Sequence, residues 1–198
     1  RYNARQIERR DLMDTYDEAT QEEEPRSGLP PIWLAVGAVT IVVLGLLAYG
    51  LFFRSSAAIA PGSPVPDFQL ETFDGGPVAL SQSAGDVLVI NFFASWCDPC
   101  RQEAADVEAV WRRFRDQGVQ FVGISYKDAE SRSVEFLEEF GISYPSAPDP
   151  GNRTARAYGV TGVPETFVID RQGLLVRHFI GPVTEVQLSV ELESLLNQ

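Results

Sequence analysis

Two cysteines, the only ones in 198 residues, stand three apart in the segment Trp96-Cys97-Asp98-Pro99-Cys100. The apolar run Val87–Phe93 before them is typical of a buried strand, and the segment after them is typical of a helix. Cys97 is therefore predicted at a helix N-terminus, where unpaired N–H groups and the helix dipole favour negative charge. A thiolate carries that charge, so we expect Cys97 to be a reachable nucleophile. Cys100, one turn later, can close a disulfide with it.

Such a pair has two other interpretations, a structural staple and half of a zinc site. A disulfide that closes so short a loop removes little entropy from the unfolded chain. Zinc takes about four ligands, whereas the chain has no third cysteine and one histidine, His178, which is predicted as a structural or exposed strand residue. Redox chemistry is the preferred interpretation, and it requires no metal ion and no organic cofactor.

The composition allows one ordinary domain plus additional segments. Hydrophobic residues make up 44% of the chain, which is enough for a core. The net charge is −12, and an acidic chain is a poor partner for nucleic acid. Nucleic-acid binding is therefore excluded from the candidate functions.

A long uncharged segment lies near the N-terminus. Ile32 to Phe53 is 22 residues without a charge, and as a helix it would span about 33 Å, close to the thickness of a bilayer core. The sequence therefore predicts a transmembrane helix over residues 30–54, with the lipid bilayer as its partner. A buried helix of a soluble protein is one alternative. A cleaved signal peptide that ends at Ala60 is another, although the run is longer than the usual apolar region of about 7–15 residues.

The distribution of arginine predicts how the chain is oriented. Five arginines precede the apolar run and Arg54 follows it, with no further basic residue until Arg101. Positive charge is retained inside, so we expect a single-pass cell-membrane protein with a cytoplasmic N-terminus and an extracytoplasmic C-terminal domain. The predicted parts are a polar acidic tail (1–29), the membrane helix (30–54), a Pro/Ala/Ser linker (55–66) and the domain (67–198).

The domain alternates strands with helices, which predicts an α/β fold with a mixed sheet flanked by helices. A β-hairpin around Asp74-Gly75-Gly76 precedes that sheet. The last helix is predicted to pack through Val186, Val190, Leu192 and Leu196. The main predicted elements are strands at 87–93, 119–125, 166–169 and 174–180 and helices at 98–117, 133–140, 154–158 and 184–196.

Three residues near the cysteines are candidates for affecting the reactivity or the position of the pair. Glu103 lies on the flank of the apolar helix face, where burial would raise the pKa of its carboxyl and allow it to hold or deliver a proton; exposure to solvent or pairing with an arginine is the alternative. Asp98 opposes a thiolate on Cys97, which makes the dithiol a stronger reductant. Pro99 suits the first helical turn, where a missing N–H costs nothing.

Two segments together, Trp96–Glu103 and Gly159–Asp170, resemble the membrane-anchored thioredoxin-like proteins of the TlpA, ResA and DsbE (CcmG) group. The second segment is especially similar to the cytochrome c maturation members, although Thr161 stands where those often have an aromatic residue. The resemblance covers about residues 61–198 and implies a thioredoxin fold. It also implies a cis Val163–Pro164 bond, whereas sequence statistics alone predict trans, since only about 5–6% of such bonds are cis.

The resemblance also implies roles for individual residues. Cys97 would attack a disulfide and Cys100 would resolve the product, with Glu103 as the acidic group beside them. The Val163–Pro164 backbone would face the disulfide and receive an incoming peptide. The residues implied for catalysis are Cys97, Cys100, Glu103 and Pro164, and those implied for substrate binding are Trp96, Asp98, Pro99, Val163, Glu165 and Thr166.

The function that follows is a tethered extracytoplasmic dithiol reductase. Its expected substrate is the Cys-x-x-Cys-His disulfide of apocytochrome c or another exported protein, and a transmembrane thiol donor would re-reduce it. One alternative is a peroxidase of the peroxiredoxin group, which has threonine or serine three residues before the reactive cysteine, where this chain has Ala94. The other alternative is a non-enzymatic accessory subunit of a membrane complex.

Overall fold

The computed structural model describes residues 31–52 and 59–197, which fall into two units. The first unit contributes helix α1, Pro31–Phe52, and the large apolar side chains described in it are exposed, with Ile41 at 72%. Within the described ranges, no helix has the length and apolarity needed to cross a membrane. The predicted acidic tail, residues 1–29, lies outside the described residues.

The second unit contains the sheet and the helices around it. Short 3₁₀ helices at Leu80–Ser83, Arg115–Gln117 and Pro150–Asn152 connect some of the elements. The strands are β1 Gln69–Glu71, β2 Pro77–Ala79, β3 Val87–Phe93, β4 Val119–Ser125, β5 Ser146–Pro148, β6 Glu165–Ile169 and β7 Leu175–Ile180, and the helices are α2 Asp98–Phe114, α3 Glu130–Phe140, α4 Arg153–Ala157 and α5 Glu185–Leu196.

The predicted mixed sheet is confirmed. Five strands lie in the order β5-β4-β3-β6-β7, and β1 pairs with β2 in a separate hairpin. Strand β3 is parallel to β4 and antiparallel to β6. Every residue of β3 is buried, because a central strand is covered on both faces, and this explains why its sequence is apolar apart from Asn91.

Side chains of β3 alternate between two cores. Leu88, Ile90 and Phe92 pack with the β1–β2 hairpin and with Tyr158 of the segment that follows α4. Val87 and Val89 pack on the opposite face with side chains of α2 and α5. Each fully buried large apolar side chain contributes about 1.5–3 kcal/mol relative to exposure, so α2 is held firmly against the strand that precedes it.

The predicted packing of α5 is confirmed for Leu192 and Leu196, which contact the core, and is wrong for Val186 and Val190. Val186 and Val190 are exposed, at 72% and 62%, whereas the buried apolar residues of the helix are Leu188, Leu192 and Leu195. At about 100° per residue, positions separated by four and seven residues share one face. Val186 lies two residues before Leu188 and therefore points about 200° away from it, toward solvent.

The predicted linker 55–66 is also wrong at its C-terminal end. The Gly62 N–H donates to the Leu175 carbonyl at 2.7 Å, and the Leu175 N–H donates to the Ser63 carbonyl at 2.9 Å. Val65, which is buried, donates to the Gly173 carbonyl at 3.1 Å. Residues 62–65 are thus part of the domain, beside β7, while residues 55–58 lie outside the described residues.

Candidate active site

The two cysteines lie where β3 ends and α2 begins, as the sequence predicts. They form a Cys97–Cys100 disulfide. Cys97 is the N-cap of α2, and its sulfur accepts a hydrogen bond from the Cys100 N–H at 3.1 Å. Pro99 occupies the first helical turn, where its missing N–H removes no helical hydrogen bond. An N–H group aimed at the Cys97 sulfur also stabilises that atom as a thiolate.

The disulfide is more deeply covered than the sequence predicts. Cys97 is 3% exposed and Cys100 is 1% exposed, within an apolar cluster that includes Phe93 and Phe136. The expectation of a freely reachable Cys97 sulfur is therefore not met in this disulfide state. The neighbouring Trp96 is 57% exposed.

The Val163–Pro164 peptide bond is cis, as the resemblance implies and contrary to the expectation from sequence statistics. The Val163 carbonyl oxygen lies 3.4 Å from the Cys97 sulfur. The Pro164 carbonyl accepts from the Gly181 N–H at 2.9 Å, which connects this segment to the end of β7. Backbone of the 163–164 segment therefore lies directly beside the disulfide.

Glu103 is buried on the cysteine-bearing face of α2. Its Oε1 accepts from the Asn91 side-chain amide at 2.8 Å, and its Oε2 accepts from the Val183 N–H at 2.7 Å. Burial raises the pKa of Glu103 to about 7; the hydrogen bonds from Val183 and Asn91 partly oppose this effect, and the charge of Asp106 adds to it. The predicted raised pKa is confirmed, and both alternatives, exposure and an arginine partner, are excluded.

Asn91 was missed by sequence reasoning, although it is the one polar residue in the apolar strand β3. Its side-chain amide donates both to Glu103 and to the Thr166 hydroxyl, the latter at 3.0 Å. Thr166 is fully buried, because it faces Asn91 across the β3–β6 pair. Thr166 therefore does not lie on a substrate-facing surface, and its predicted role in substrate binding is corrected to an internal contact.

Glu165 also differs from the expectation that it contacts substrate. It is 2% exposed, and its Oε1 accepts from the N–H groups of Thr161 and Gly162 at 3.0 and 3.1 Å. Its Oε2 lies 2.7 Å from Nε2 of His178. Both carboxylate oxygens are thus engaged by groups of the protein, and the predicted direct contact is corrected to an internal one. The structural role predicted for His178 agrees with this position.

The remaining candidates lie at the surface around the disulfide. Asp98 and Pro99 are exposed at the start of α2. The Trp96 indole N–H donates to the Lys127 carbonyl at 3.2 Å, which ties the tryptophan to the loop after β4. In residues 31–52 and 59–197, no group of three or more His, Cys, Asp or Glu side chains is arranged to hold a metal ion.

A mixed sheet with flanking helices, a Cys-x-x-Cys disulfide at a helix N-terminus and a cis-proline beside it define a thioredoxin-like α/β protein. Residues 61–178 match the model of the AhpC/TSA family. The chain is 30% identical over 155 residues to the thiol-disulfide oxidoreductase ResA of Geobacillus thermodenitrificans, covering 78% of this chain and 89% of that protein. It is 31% identical over 147 residues to ResA of Bacillus subtilis, covering 74% and 82%.

Solved structures agree with these relatives. A thiol:disulfide interchange protein of the thioredoxin family from Chlorobium tepidum TLS is 32% identical, with a TM-score of 0.63 over 70% of this chain and 99% of that one. The chain belongs to the AhpC/TSA family. Within it, the chain is a thioredoxin-like thiol-disulfide oxidoreductase of the ResA/DsbE/TlpA type.

Proposed function

We propose that this oxidoreductase works as a reductant of protein disulfides outside the cytoplasm, tethered to the membrane, with apocytochrome c as its substrate. The single observation that carries the exchange chemistry is the Cys97–Cys100 disulfide at the N-terminus of α2. The buried Glu103 carboxyl on the same helix has a pKa of about 7 and can exchange a proton at neutral pH. The exposed Asp98 carboxylate, next to Cys97 in sequence, disfavours a thiolate there and so favours loss of electrons from the dithiol.

The reaction transfers two electrons. In the reduced protein, the Cys97 thiolate attacks one sulfur of a substrate disulfide, so that a mixed disulfide forms and the other substrate sulfur leaves as a thiolate. The Cys100 thiolate then attacks the Cys97 sulfur, the mixed bond breaks, and the substrate leaves with both sulfurs reduced. The Cys97–Cys100 disulfide of the structure is the oxidised product of that cycle.

Glu103 has a part in the proton balance of this cycle. Cys100 must lose a proton before it attacks, and the departing substrate thiolate gains one. Glu103 follows Cys100 by one turn on α2 and titrates close to neutrality, so in the proposal it accepts the proton of the Cys100 thiol. A group that accepts and donates a proton does so most effectively when its pKa lies near the working pH.

The Val163–Pro164 backbone is the proposed receiving surface for the substrate polypeptide. The Val163 carbonyl is 3.4 Å from the Cys97 sulfur, so a chain that approaches this sulfur also meets the 163–164 backbone. Trp96, which precedes Cys97 and is 57% exposed, offers an apolar contact for the same chain. The choice of apocytochrome c rests on the likeness of residues 159–170 to cytochrome c maturation proteins.

The tether and the electron donor complete the proposal. The proposed tether rests on the sequence, in which the run Ile32–Phe53 carries no charge. The arginine bias supports a cytoplasmic N-terminus, which would place the disulfide where protein disulfides form. A membrane-embedded dithiol is the proposed donor, since it returns two electrons to the oxidised pair from the reducing side.

The peroxidase alternative is not favoured by the site. Ala94, three residues before Cys97, is fully buried and has no hydroxyl group to polarise a peroxide. The nearby Cys100 already forms a disulfide with Cys97. A ready intramolecular partner of this kind suits exchange between disulfides.

Trapping in cells tests the proposal. A Cys100→Ser variant cannot resolve the mixed disulfide, so substrates should remain covalently attached to Cys97 and be released by dithiothreitol. We expect to identify a c-type cytochrome precursor and a membrane thiol carrier by mass spectrometry. A Cys97→Ser/Cys100→Ser double variant is the matched control and should retain neither. Absence of any adduct on Cys100→Ser would contradict the proposed exchange, and adducts lacking haem-protein precursors would contradict the assigned substrate.

A further inference from the structure

A second buried carboxylate, Glu165, lies immediately after the cis-proline and is not used by the proposed chemistry. It begins β6 and pairs with Phe92 of β3 and with Ile180 of β7. Its side chain therefore faces the core that contains Phe92, away from the face that carries Glu103. Burial of a carboxylate is costly unless its oxygens are hydrogen-bonded, so its partners indicate what it holds in place.

Those partners belong to the loop beside the disulfide. One oxygen of Glu165 accepts from two consecutive N–H groups, those of Thr161 and Gly162. These two residues lead directly into Val163, whose carbonyl is 3.4 Å from the Cys97 sulfur. The carboxylate therefore fixes the backbone at the two residues immediately before Val163, whose carbonyl contacts the sulfur.

His178 in turn fixes the carboxylate. Its Nε2 lies 2.7 Å from the second oxygen of Glu165. The imidazole stacks on Phe167, with ring centroids 4.0 Å apart and 15° between the ring planes. Phe167 is directly opposite His178 in the β6–β7 pair. The ring is therefore held by strand pairing and stacking, and its nitrogen can hold Glu165 in one orientation.

We propose that Glu165 and His178 form a clamp that sets the position of the 161–164 loop and thereby determines how tightly a substrate polypeptide binds beside Cys97. His178 is a positioning residue, since it acts through Glu165 and the loop. This inference rests on the proposed function, because it assigns the loop to the recognition of polypeptide disulfides. A small disulfide that reaches the sulfur without using the loop backbone should be much less sensitive to the clamp.

Two variants open the clamp in different ways. His178→Phe keeps an aromatic ring for the stack on Phe167 and removes the nitrogen. Glu165→Met keeps an unbranched side chain of similar length and removes the acceptor of the two N–H groups. His178→Gln retains a donor that can reach the carboxylate and serves as the conservative rescue.

Glu108 offers a matched control. It is 6% exposed, accepts from the Ser143 N–H at 2.9 Å and pairs with Arg112 at 2.6 Å. Glu108→Met therefore removes a buried carboxylate that also holds a backbone N–H and a nitrogen-bearing side chain. Its backbone partner lies before β5 and not in the 161–164 loop, so the variant reports the general cost of such a loss.

The kinetic experiment uses the full chain in detergent, reduced with dithiothreitol and freed from it. Single-turnover reduction is followed with a synthetic peptide that contains one Cys-x-x-Cys-His disulfide, and with 5,5′-dithiobis(2-nitrobenzoate) as the small disulfide. We expect the half-saturating peptide concentration to rise about ten-fold in His178→Phe, the factor for losing one hydrogen bond to a charged group, and at least as much in Glu165→Met, which loses every hydrogen bond of the carboxylate. The ratio of peptide rate to small-disulfide rate should fall by a similar factor. His178→Gln and Glu108→Met should stay within about two-fold of the wild-type ratio.

Either of two kinetic results would overturn the proposed clamp. If both substrates slow together in His178→Phe, or if Glu108→Met shifts the peptide concentration as much as Glu165→Met, the pair has only a structural role. Amide hydrogen exchange tests the position of the loop independently of the kinetic measurements. Exchange at Thr161 and Gly162 should accelerate at least ten-fold in His178→Phe, and unchanged exchange there would refute it. A wild-type protein that reduces neither disulfide would refute the proposed function while the exchange result still decides the clamp.

Discussion

Titration of Glu103 is expected to make the stability of the folded domain fall as the pH rises. The pKa of this carboxyl moves from 4.5 to about 7 on folding, chiefly because burial disfavours the charged form. The folded state thus binds the proton more tightly than the unfolded state. Its contribution to the free energy of unfolding is fully present below about pH 4.5, declines through the interval and is lost above about pH 7.

The size of the decline follows from the shift. A difference between 4.5 and about 7, at about 1.4 kcal/mol per pKa unit, corresponds to roughly 3 kcal/mol. This is a large fraction of the 5–15 kcal/mol or so that stabilises a typical domain. Two neutral donors, Asn91 and Val183, bind the carboxylate, so the ionised form is tolerated above pH 7 at reduced stability.

Urea unfolding of the oxidised protein, followed by circular dichroism between pH 4 and pH 8, measures this effect. Other acids also titrate in that range, so the informative quantity is the wild-type free energy of unfolding minus that of Glu103→Gln. We expect this difference to fall by roughly 3 kcal/mol across the interval, because glutamine does not titrate. Glu108→Gln should retain the wild-type decline, since Glu103 is intact in it. A difference that stays flat to within about 1 kcal/mol would refute the reasoning from burial.

Two further substitutions test packing and capping. A Cβ on Gly123 would overlap the Ser146 hydroxyl and lie 3.0 Å from the Tyr144 ring, so Gly123→Ala should destabilise the domain by about 1–3 kcal/mol; an unchanged urea midpoint would show that the strand can yield there. Thr184 caps α5 by accepting from the Gln187 N–H at 3.3 Å, so Thr184→Ala should cost about 1 kcal/mol in the same assay; a cost below about 0.3 kcal/mol would mean that the cap is redundant.

Local signals predicted most of the framework. The helix predicted from Asp98 to Gln117 is present as α2 followed by a short 3₁₀ turn, and it ends at Gly118 in the left-handed conformation. The strand Val119–Ser125 has the predicted limits. These elements could be predicted from the sequence because apolar periodicity and a terminating glycine are properties of neighbouring residues.

Contacts between residues far apart in the sequence could not be predicted from local patterns. Asn91 precedes Glu103 by 12 positions and Val183 follows it by 80. No local sequence pattern indicates that both of these residues form hydrogen bonds with Glu103. The apolar residues of α5 offer two stripes at helical spacing, and only packing against α2 selects the one that contains Leu188 and Leu192. The contact between Glu165 and His178 was not predicted either, although the turn after Ile169 makes β6 and β7 neighbours and brings the two residues together.

The first two residues of β6, which directly follow the cis-proline, point to opposite faces of the sheet. Thr166 points toward α2 and bonds to Asn91, which also holds Glu103. Glu165, one position earlier, points to the other face and bonds to the loop and to His178. Alternation along a strand places consecutive side chains on opposite faces, so the proton-exchanging group and the loop clamp are separated by the sheet itself. In the proposed mechanism, a change of charge at Glu103 acts on proton supply and a substitution of Glu165 acts on loop position, so the two residues affect the same disulfide through different bonds.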